Sequence, residues 1–269
     1  MPSKRLASIA VLCLSLAATA TACSEDRKPA AAATVTPSES AGGPAAQGLA
    51  VDTLSGADIA KQAQAAMAQL ASVKIEGSVS SGGGMTTLQL AADKKGNCAG
   101  SVRVPATGQV DLLRTSTQVW LKPDAAFWKS IATQTGGAKA GAMAAELFKG
   151  RYLTGGQDDA TVKQTASMCD LVDAIAKDDD SPNTYTKGAM GITNGIKTFT
   201  LVATDAEGVK STMYIATEGK PYLVKVERTD SPGSNHMNLS DFDKPVTVQA
   251  PPADTVIDYS AFQDKLKTA

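Results

Sequence analysis

The chain has 269 residues, of which 43% are hydrophobic and 20% charged, an ordinary globular composition with enough apolar material for a core. Its formal net charge is -1, and removal of the first 22 residues would leave 24 basic and 27 acidic residues. This balance argues against nucleic acid as a partner and against a steep electrostatic attraction to anionic lipid.

The first 22 residues have the pattern of a secretory signal peptide. Lys4 and Arg5 precede an apolar run over residues 6–20, and small residues follow up to Ala22. Cys23 comes next, so the segment looks like a bacterial lipoprotein signal, with alanine at residue 20 where leucine is typical. We expect acylation of Cys23, palmitate included, and anchoring outside the cytoplasm at the outer face of the cell membrane. Plain secretory cleavage beside an incidental cysteine is the alternative.

Residues 23–51 are predicted to be the lipidated cysteine and a flexible linker, because they are rich in Ala, Pro, Ser, Thr and Gly. A single folded domain is expected over residues 52–269. It starts with a helix from Ser55 to Ala71, in which Ser55 and Asp58 form a capping box. Small and apolar residues recur on one side of this helix, so the sequence predicts a narrow buried stripe.

Two groups of short strands follow, separated by a helical region. Alternating apolar residues and turns rich in Gly, Asn and Pro predict antiparallel meanders, which together could form one long sheet. The first group covers residues 73–80, 88–92, 98–104, 109–114 and 119–121. The second covers residues 184–192, 196–205, 209–217, 221–229 and 236–242, with the turn Asn194-Gly195 after its first strand.

The helical region between the meanders contains three predicted helices. The first opens at Pro123-Asp124, the second covers Ala138–Phe148 and the third covers Met168–Ala176. The run Asp178–Asp180 is predicted to be a solvated loop, because it lacks the alternating ligands and the glycine turn of a calcium loop. A short helical turn is predicted at the carboxyl terminus.

Two cysteines remain after Cys13 and Cys23 are assigned to the signal and the anchor. In an oxidising compartment we expect a disulfide between Cys98 and Cys169, and two buried free thiols are the alternative. Two cysteines without a nearby histidine do not form a metal site, so no metal and no cofactor are predicted.

The sequence contains little that indicates catalysis. The single histidine, His236, follows a turn and is predicted to be solvated. The adjacent carboxylates Asp158-Asp159 lie in a loop, and no nucleophile elbow, zinc-protease motif or phosphate-binding loop occurs. We therefore predict that the protein is not an enzyme.

Each strand has one apolar face and one more polar face, as in a single curved sheet with one solvated side. The few short helices cover such a sheet thinly. Either side chains fill its interior or a cavity remains for an apolar ligand. The residues that would line that cavity are Leu88, Leu90, Val102, Leu113, Phe199, Leu201, Met213, Ile215, Val224 and Val226.

Four segments carry a resemblance to known proteins. They are Thr21-Ala22-Cys23, the run from Val119 to Trp128, Cys169-Asp170-Leu171, and the run from Leu239 to Val248. With these segments the chain resembles the actinobacterial envelope lipoproteins of the LppX/LprAFG type, relatives of the LolA/LolB lipoprotein carriers. The likeness covers residues 52–256, and none of its segments is catalytic.

The resemblance implies an α+β fold, a strongly curved antiparallel half-barrel with a few helices packed on its concave face. It also implies a protein that binds or carries acylated lipids or glycolipids through the envelope. We expect the protein to be a monomer. A cell-surface interaction or sensor lipoprotein with a filled core and no lipid cargo is the alternative.

Overall fold

The computed structural model describes residues 48–81, 84–155, 160–177, 182–230 and 233–259. The predicted signal peptide, Cys23, most of the linker, Asp158-Asp159, the run Asp178–Asp180 and residues 260–269 lie outside the described residues. Every described residue belongs to one compact unit, Pro44–Ala269. This unit contains the sheet, the helices and the hydrophobic clusters described below, so it has the core that a domain needs to fold by itself.

Twelve strands form one open, curved sheet in the order β12-β6-β5-β4-β3-β2-β1-β11-β10-β9-β8-β7. All neighbours are antiparallel except the parallel pair β6 and β12. The α+β half-barrel expected from the sequence is therefore confirmed. The strands are β1 Ser72–Ser81, β2 Gly84–Asp93, β3 Cys98–Val104, β4 Gly108–Arg114, β5 Val119–Pro123, β6 Tyr152–Thr154, β7 Thr184–Thr193, β8 Ile196–Thr204, β9 Lys210–Ala216, β10 Leu223–Asp230, β11 Gly233–Ser240 and β12 Val256–Asp258.

The two meanders join through β1 and β11. This pairing places Ile75 opposite Leu239, and both side chains are buried on the same face. The first strand of one meander therefore meets the last strand of the other. The expectation of one long sheet is confirmed, and β12 and β7 are its edges.

The tight turns follow the sequence closely. In the turn between β7 and β8, Thr193 pairs with Ile196 across two residues, Asn194 and Gly195, which both have positive φ, 52° and 80°. Such a two-residue turn matches the twist of the strands that it joins, and asparagine and glycine adopt these angles at low cost.

Four α-helices lie among the described residues: α1 Gly56–Ala68, α2 Ala125–Leu147, α3 Ala160–Ser167 and α4 Leu171–Ala176. The predicted cap of α1 is present, because the Ser55 hydroxyl accepts a hydrogen bond from the Asp58 amide at 3.1 Å. Helix α2 consists of two runs that meet at Gly137, where the backbone leaves the helical conformation (φ 76°, ψ 179°). In the described part of the chain, we find no helix whose length and apolarity would suffice to cross a membrane.

Three elements differ from the sequence predictions. Strands β6 and β12 and helix α3 were not predicted, and the last ten residues, where a helical turn was predicted, lie outside the described residues. Strands β6 and β12 have three residues each, too few for an alternation of apolar and polar residues to be recognised. Their pairing with each other and with β5 decides their conformation.

Three hydrophobic clusters form the core. The largest joins the end of α1 and part of α4 to β1–β5 and β11, and it includes both disulfide cysteines. The second packs α1 against β8 and β9 through Ile59, Leu201 and Ile215. The third contains Trp128, Phe148 and Leu153 and holds α2 near β6. A curved sheet therefore has filled regions at separate places along its concave face.

Asp243 joins three parts of the domain just after β11. Its carboxylate accepts hydrogen bonds from the Ala71 amide at 2.8 Å and the Tyr222 hydroxyl at 2.6 Å, with Lys220 Nζ at 3.3 Å. The hydrogen bond from the Ala71 amide, followed by that from Tyr222, holds the pKa of Asp243 below its ordinary value of 3.8. The carboxylate thus fixes the end of α1 to the start of β10.

We expect Asp243→Ala to lower the free energy of unfolding by about 1.5 kcal/mol more than the control Asp241→Ala, because charge-assisted hydrogen bonds are lost. Both residues have positive φ, 59° and 51°, so the backbone cost of alanine is matched. The Asp241 carboxylate contacts the exposed Lys244, an ion pair of the kind that contributes little.

The pH dependence of this difference follows from the lowered pKa of Asp243. The folded protein holds its proton less tightly than the unfolded chain, so the stabilisation is complete above the unfolded pKa. It is lost as pH falls through the lower folded pKa. Urea unfolding of the wild type and both variants at neutral and acidic pH measures this loss of stabilisation. If Asp243→Ala is still less stable than Asp241→Ala at the lowest pH, the stabilisation does not depend on the charge of Asp243.

Candidate functional site

A cleft of about 540 Å³ opens between helices α1 and α4 and the strands of the second meander. Strands β8 to β10 form its floor, and α1 and α4 form its walls. Its apolar lining includes Met67, Ile175, Tyr185, Met213, Leu223 and Val226. The cleft is therefore the part of the concave face that the helices leave uncovered.

Small side chains on α1 leave room for the cleft. Ala60 and Ala63 are buried where α1 meets the sheet, and both also line the cleft. At the end of the helix, the Met67 sulfur accepts a hydrogen bond from the Leu223 amide at 3.4 Å. The predicted small-residue stripe of α1 therefore packs the helix close to the sheet without filling the space beside it.

The disulfide positions the second wall. Cys98 lies at the start of β3 and Cys169 lies just before α4, with their Cα atoms 5.7 Å apart. The predicted pairing is present, and both residues are buried. Gln64 Nε2 of α1 also donates to the Lys177 carbonyl at 3.2 Å, just after α4. Helix α4 is thus held both to the sheet and to α1.

Polar groups lie at the rim of the cleft. Arg228 reaches the Asp205 carboxylate at 3.6 Å, and Lys177 and Glu207 also line the rim. The other oxygen of Asp205 accepts hydrogen bonds from the amides of Glu207 and Val209, which orders the turn between β8 and β9. The cleft therefore combines an apolar floor with a rim that bears both signs of charge, an arrangement suited to an amphiphilic molecule.

A second depression, of about 770 Å³, is more open and has a different character. Arg114 in its wall donates to the carbonyls of Gly96 and Ala166 and contacts the Asp170 carboxylate at 2.7 Å. These bonds join β4 to α3 and to the segment around the disulfide. Arg114 is therefore used for structure, and the apolar cleft is the better candidate for a binding site.

The residues predicted to line a cavity occupy different environments. Met213 and Val226 line the cleft. Leu90, Val102 and the half-buried Leu88 belong to the largest cluster, and Phe199, Leu201 and Ile215 to the second. Val224 is fully buried, and Leu113 pairs with Trp120 on the face opposite to Leu112. Most of the predicted lining therefore fills the core.

The sequence did not indicate Leu223 as a lining residue. Strict alternation along this strand selects Tyr222, Val224 and Val226 for the apolar face. A β-bulge between Leu223 and Lys225 changes the register, and Leu223 reaches the cleft. Such a bulge depends on the pairing with β9, so alternation along a single strand does not predict it.

The surroundings of His236 differ in part from the prediction of a solvated side chain after a turn. His236 is half-buried in β11, and its Nδ1 lies 3.0 Å from the Ser78 hydroxyl. Glu227 stands opposite His236 in β10 and accepts a hydrogen bond from Tyr214. The neighbouring ammonium of Lys225, followed by the Tyr214 hydroxyl, holds the pKa of Glu227 below its usual range. These polar side chains cross-link the strands on the face away from the cleft.

A metal site would need three or more ligating side chains close together. Within the described ranges no such group of His, Cys, Asp and Glu residues occurs.

Fold and site together define the class of protein: an α+β half-barrel with an apolar cleft under its helices. No protein-family model matches the chain, and no curated protein matches it. Among solved structures, the chain is similar to LprF from Mycobacterium bovis (15% identity, 74% of this chain and 97% of that chain, TM-score 0.48). It is also similar to the lipoprotein LppX from Mycobacterium tuberculosis (15%, 71% and 97%, TM-score 0.43).

A more distant similarity is to a putative outer membrane lipoprotein-sorting protein domain from Vibrio parahaemolyticus (12% identity, 79% of this chain and 97% of that chain, TM-score 0.23). The group that the sequence resembles thus recurs among the structural matches. At these sequence identities and TM-scores, the similarity does not assign a ligand or an activity to the present chain.

Proposed function

We propose that this protein is a non-catalytic lipoprotein that binds acylated lipids or glycolipids in the cleft. In this proposal Cys23 carries the acyl anchor and holds the domain at the outer face of the cell membrane. The observation that carries the proposal is the cleft itself, a space of about 540 Å³ between α1, α4 and the floor strands that has both apolar and polar lining residues.

The size and lining of the cleft support an acyl chain as the ligand. Its volume lies within the range of about 300–1,000 Å³ that is usual for small-molecule sites. Met213, Leu223 and Val226 offer an apolar floor without fixed polar partners, so binding would tolerate chains of different length. The charged and amide groups at the rim, such as Arg228 and Asn183, would meet the polar end of the lipid.

Filling the cleft is expected to remove the bound lipid. In Met213→Trp the larger side chain would occupy the floor, and we expect about tenfold less co-purified lipid, the equivalent of about 1.4 kcal/mol. The measurement is native mass spectrometry of the purified protein, followed by lipid extraction.

Met237→Trp is the matched control for this experiment. Met237 and Met213 flank Val226 in neighbouring strands, and both are half-buried on the same face. Met237 packs against the largest cluster and does not line the cleft. Equal lipid loss in both variants, with both still folded by circular dichroism, would contradict binding in the cleft.

A second function, a cell-surface interaction or sensor lipoprotein without lipid cargo, is favoured by one observation. Leu90, Val102, Leu201 and Ile215 of the predicted lining are buried in core clusters. If wild-type protein purified under native conditions retains no lipid and takes up none from vesicles, this second function replaces the first.

A further inference from the structure

Helix α2 is a hairpin of two short helical runs. The runs meet at Gly137 and approach each other closely at Gly141. A Cβ atom at residue 141 would contact the Thr133 side chain and would lie 2.7 Å from the Lys129 carbonyl oxygen. Glycine is therefore required where the second run crosses the first.

The inner face of this hairpin is packed. Trp128 from the first run stacks on Phe148, which follows the second run, with ring centroids 4.4 Å apart. Phe127 meets Trp128 edge to face at 5.9 Å, and Leu153 of β6 completes the cluster. The hairpin thus already has the hydrophobic contact that holds it on the domain.

The outer face is also apolar, although it faces solvent. Met143 and Leu147 are one helical turn apart, and 65% and 62% of their surfaces are exposed. Ile131 on the first run is 40% exposed. Exposed apolar side chains that lie together on one face are typical of interaction surfaces, so this face indicates a further contact.

The charge around this apolar face is positive. Four exposed basic residues lie on the hairpin or directly after it: Lys129, Lys139, Lys149 and Arg151. Glu146 is the single acidic residue from 125 to 151. Lys139 lies one turn before Met143 on the same face of the helix. This local surplus contrasts with the formal net charge of -1 for the chain.

We propose that the outer face of α2, formed by Lys139, Met143 and Leu147, docks on the surface of an anionic lipid bilayer. Apolar side chains flanked by lysines are the pattern of helices that lie in the membrane interface. The lysines select anionic headgroups, and Met143 and Leu147 enter the boundary of the acyl chains. This contact is distinct from any lipid held in the cleft and does not require the anchor.

The test uses residues 24–269, which include the whole compact unit and lack the anchor. The protein is sedimented with vesicles of phosphatidylcholine and with vesicles of an equimolar mixture of phosphatidylcholine and phosphatidylglycerol. We expect binding to the mixed vesicles that weakens as salt is raised. Met143→Ser with Leu147→Ser, and Lys139→Gln with Lys149→Gln, should each reduce the bound fraction by about tenfold.

Met190→Ser with Ile192→Ser is the matched control. These apolar residues lie on the edge strand β7, are 56% and 75% exposed, and should be replaceable without effect on vesicle binding. Docking by α2 is overturned if this control loses as much binding as Met143→Ser with Leu147→Ser, or if both vesicle types bind equally. All exchanged side chains are exposed, so circular dichroism should show unchanged melting.

Docking and cargo binding are separable in the same preparations. Met213→Trp should sediment with mixed vesicles like the wild type, even where its co-purified lipid is lost. Met143→Ser with Leu147→Ser should keep its co-purified lipid. Loss of vesicle binding in Met213→Trp would assign the membrane contact to the cleft and overturn docking by α2.

Discussion

Replacing Cys98 and Cys169 together by alanine is expected to lower the free energy of unfolding by about 4 kcal/mol, because the crosslink no longer restricts the unfolded chain. The two residues are 71 positions apart, and both are buried in the largest cluster. Their pairing closes a long loop that includes α2, β6 and α3. A loop of this length ranks among the larger entropic restraints that one disulfide provides.

The same substitution should weaken the cleft. Cys169 directly precedes α4, and Ala174 and Ile175 of that helix line the cleft. Without the crosslink, α4 keeps only noncovalent contacts with the sheet and with α1. We therefore expect reduced lipid retention together with reduced stability.

Chemical unfolding and native mass spectrometry measure the two effects. Dithiothreitol provides the control, because it should destabilise the wild type and leave the double variant unchanged. A double variant as stable as the oxidised wild type would show that the crosslink has no energetic role. Further destabilisation of the double variant by dithiothreitol would show that the reductant acts elsewhere.

The second large effect is expected at Trp128. Replacement by alanine should cost about 3–5 kcal/mol, because it removes an indole that is 8% exposed and stacked on Phe148. The third cluster is small, so the loss of packing would be concentrated in α2. We expect this hairpin to open before the rest of the domain unfolds.

Trp128→Phe is the control that separates ring packing from hydrogen bonding. The indole Nε1 is buried and has no hydrogen-bond partner among the residues described. Phenylalanine keeps an aromatic ring on Phe148 and removes this unsatisfied donor, so a cost of about 1 kcal/mol is expected. Native-state hydrogen exchange resolves the effect, and equal protection of α2 in Trp128→Ala and the wild type would contradict it.

Much of the local structure was predictable from the sequence. Alternating apolar residues located ten of the twelve strands to within a few residues, and Asn194-Gly195 identified a two-residue hairpin turn. Ser55 identified the start of α1. These features depend on interactions between residues close in the chain, such as turn geometry and helix capping. They can therefore be predicted from the local sequence.

The sequence by itself determined an antiparallel sheet with one apolar face and the cap of α1, and it predicted a disulfide between Cys98 and Cys169 that the structure contains. Only the tertiary structure decided that β1 meets β11 and that α2 folds as a hairpin with an apolar outer face. It also decided that Leu201 and Ile215 lie under α1 while Met213 and Val226 border open space. The alternation of apolar and polar residues predicts which side of a strand is apolar. It does not predict which elements cover that side, because they come from distant parts of the chain.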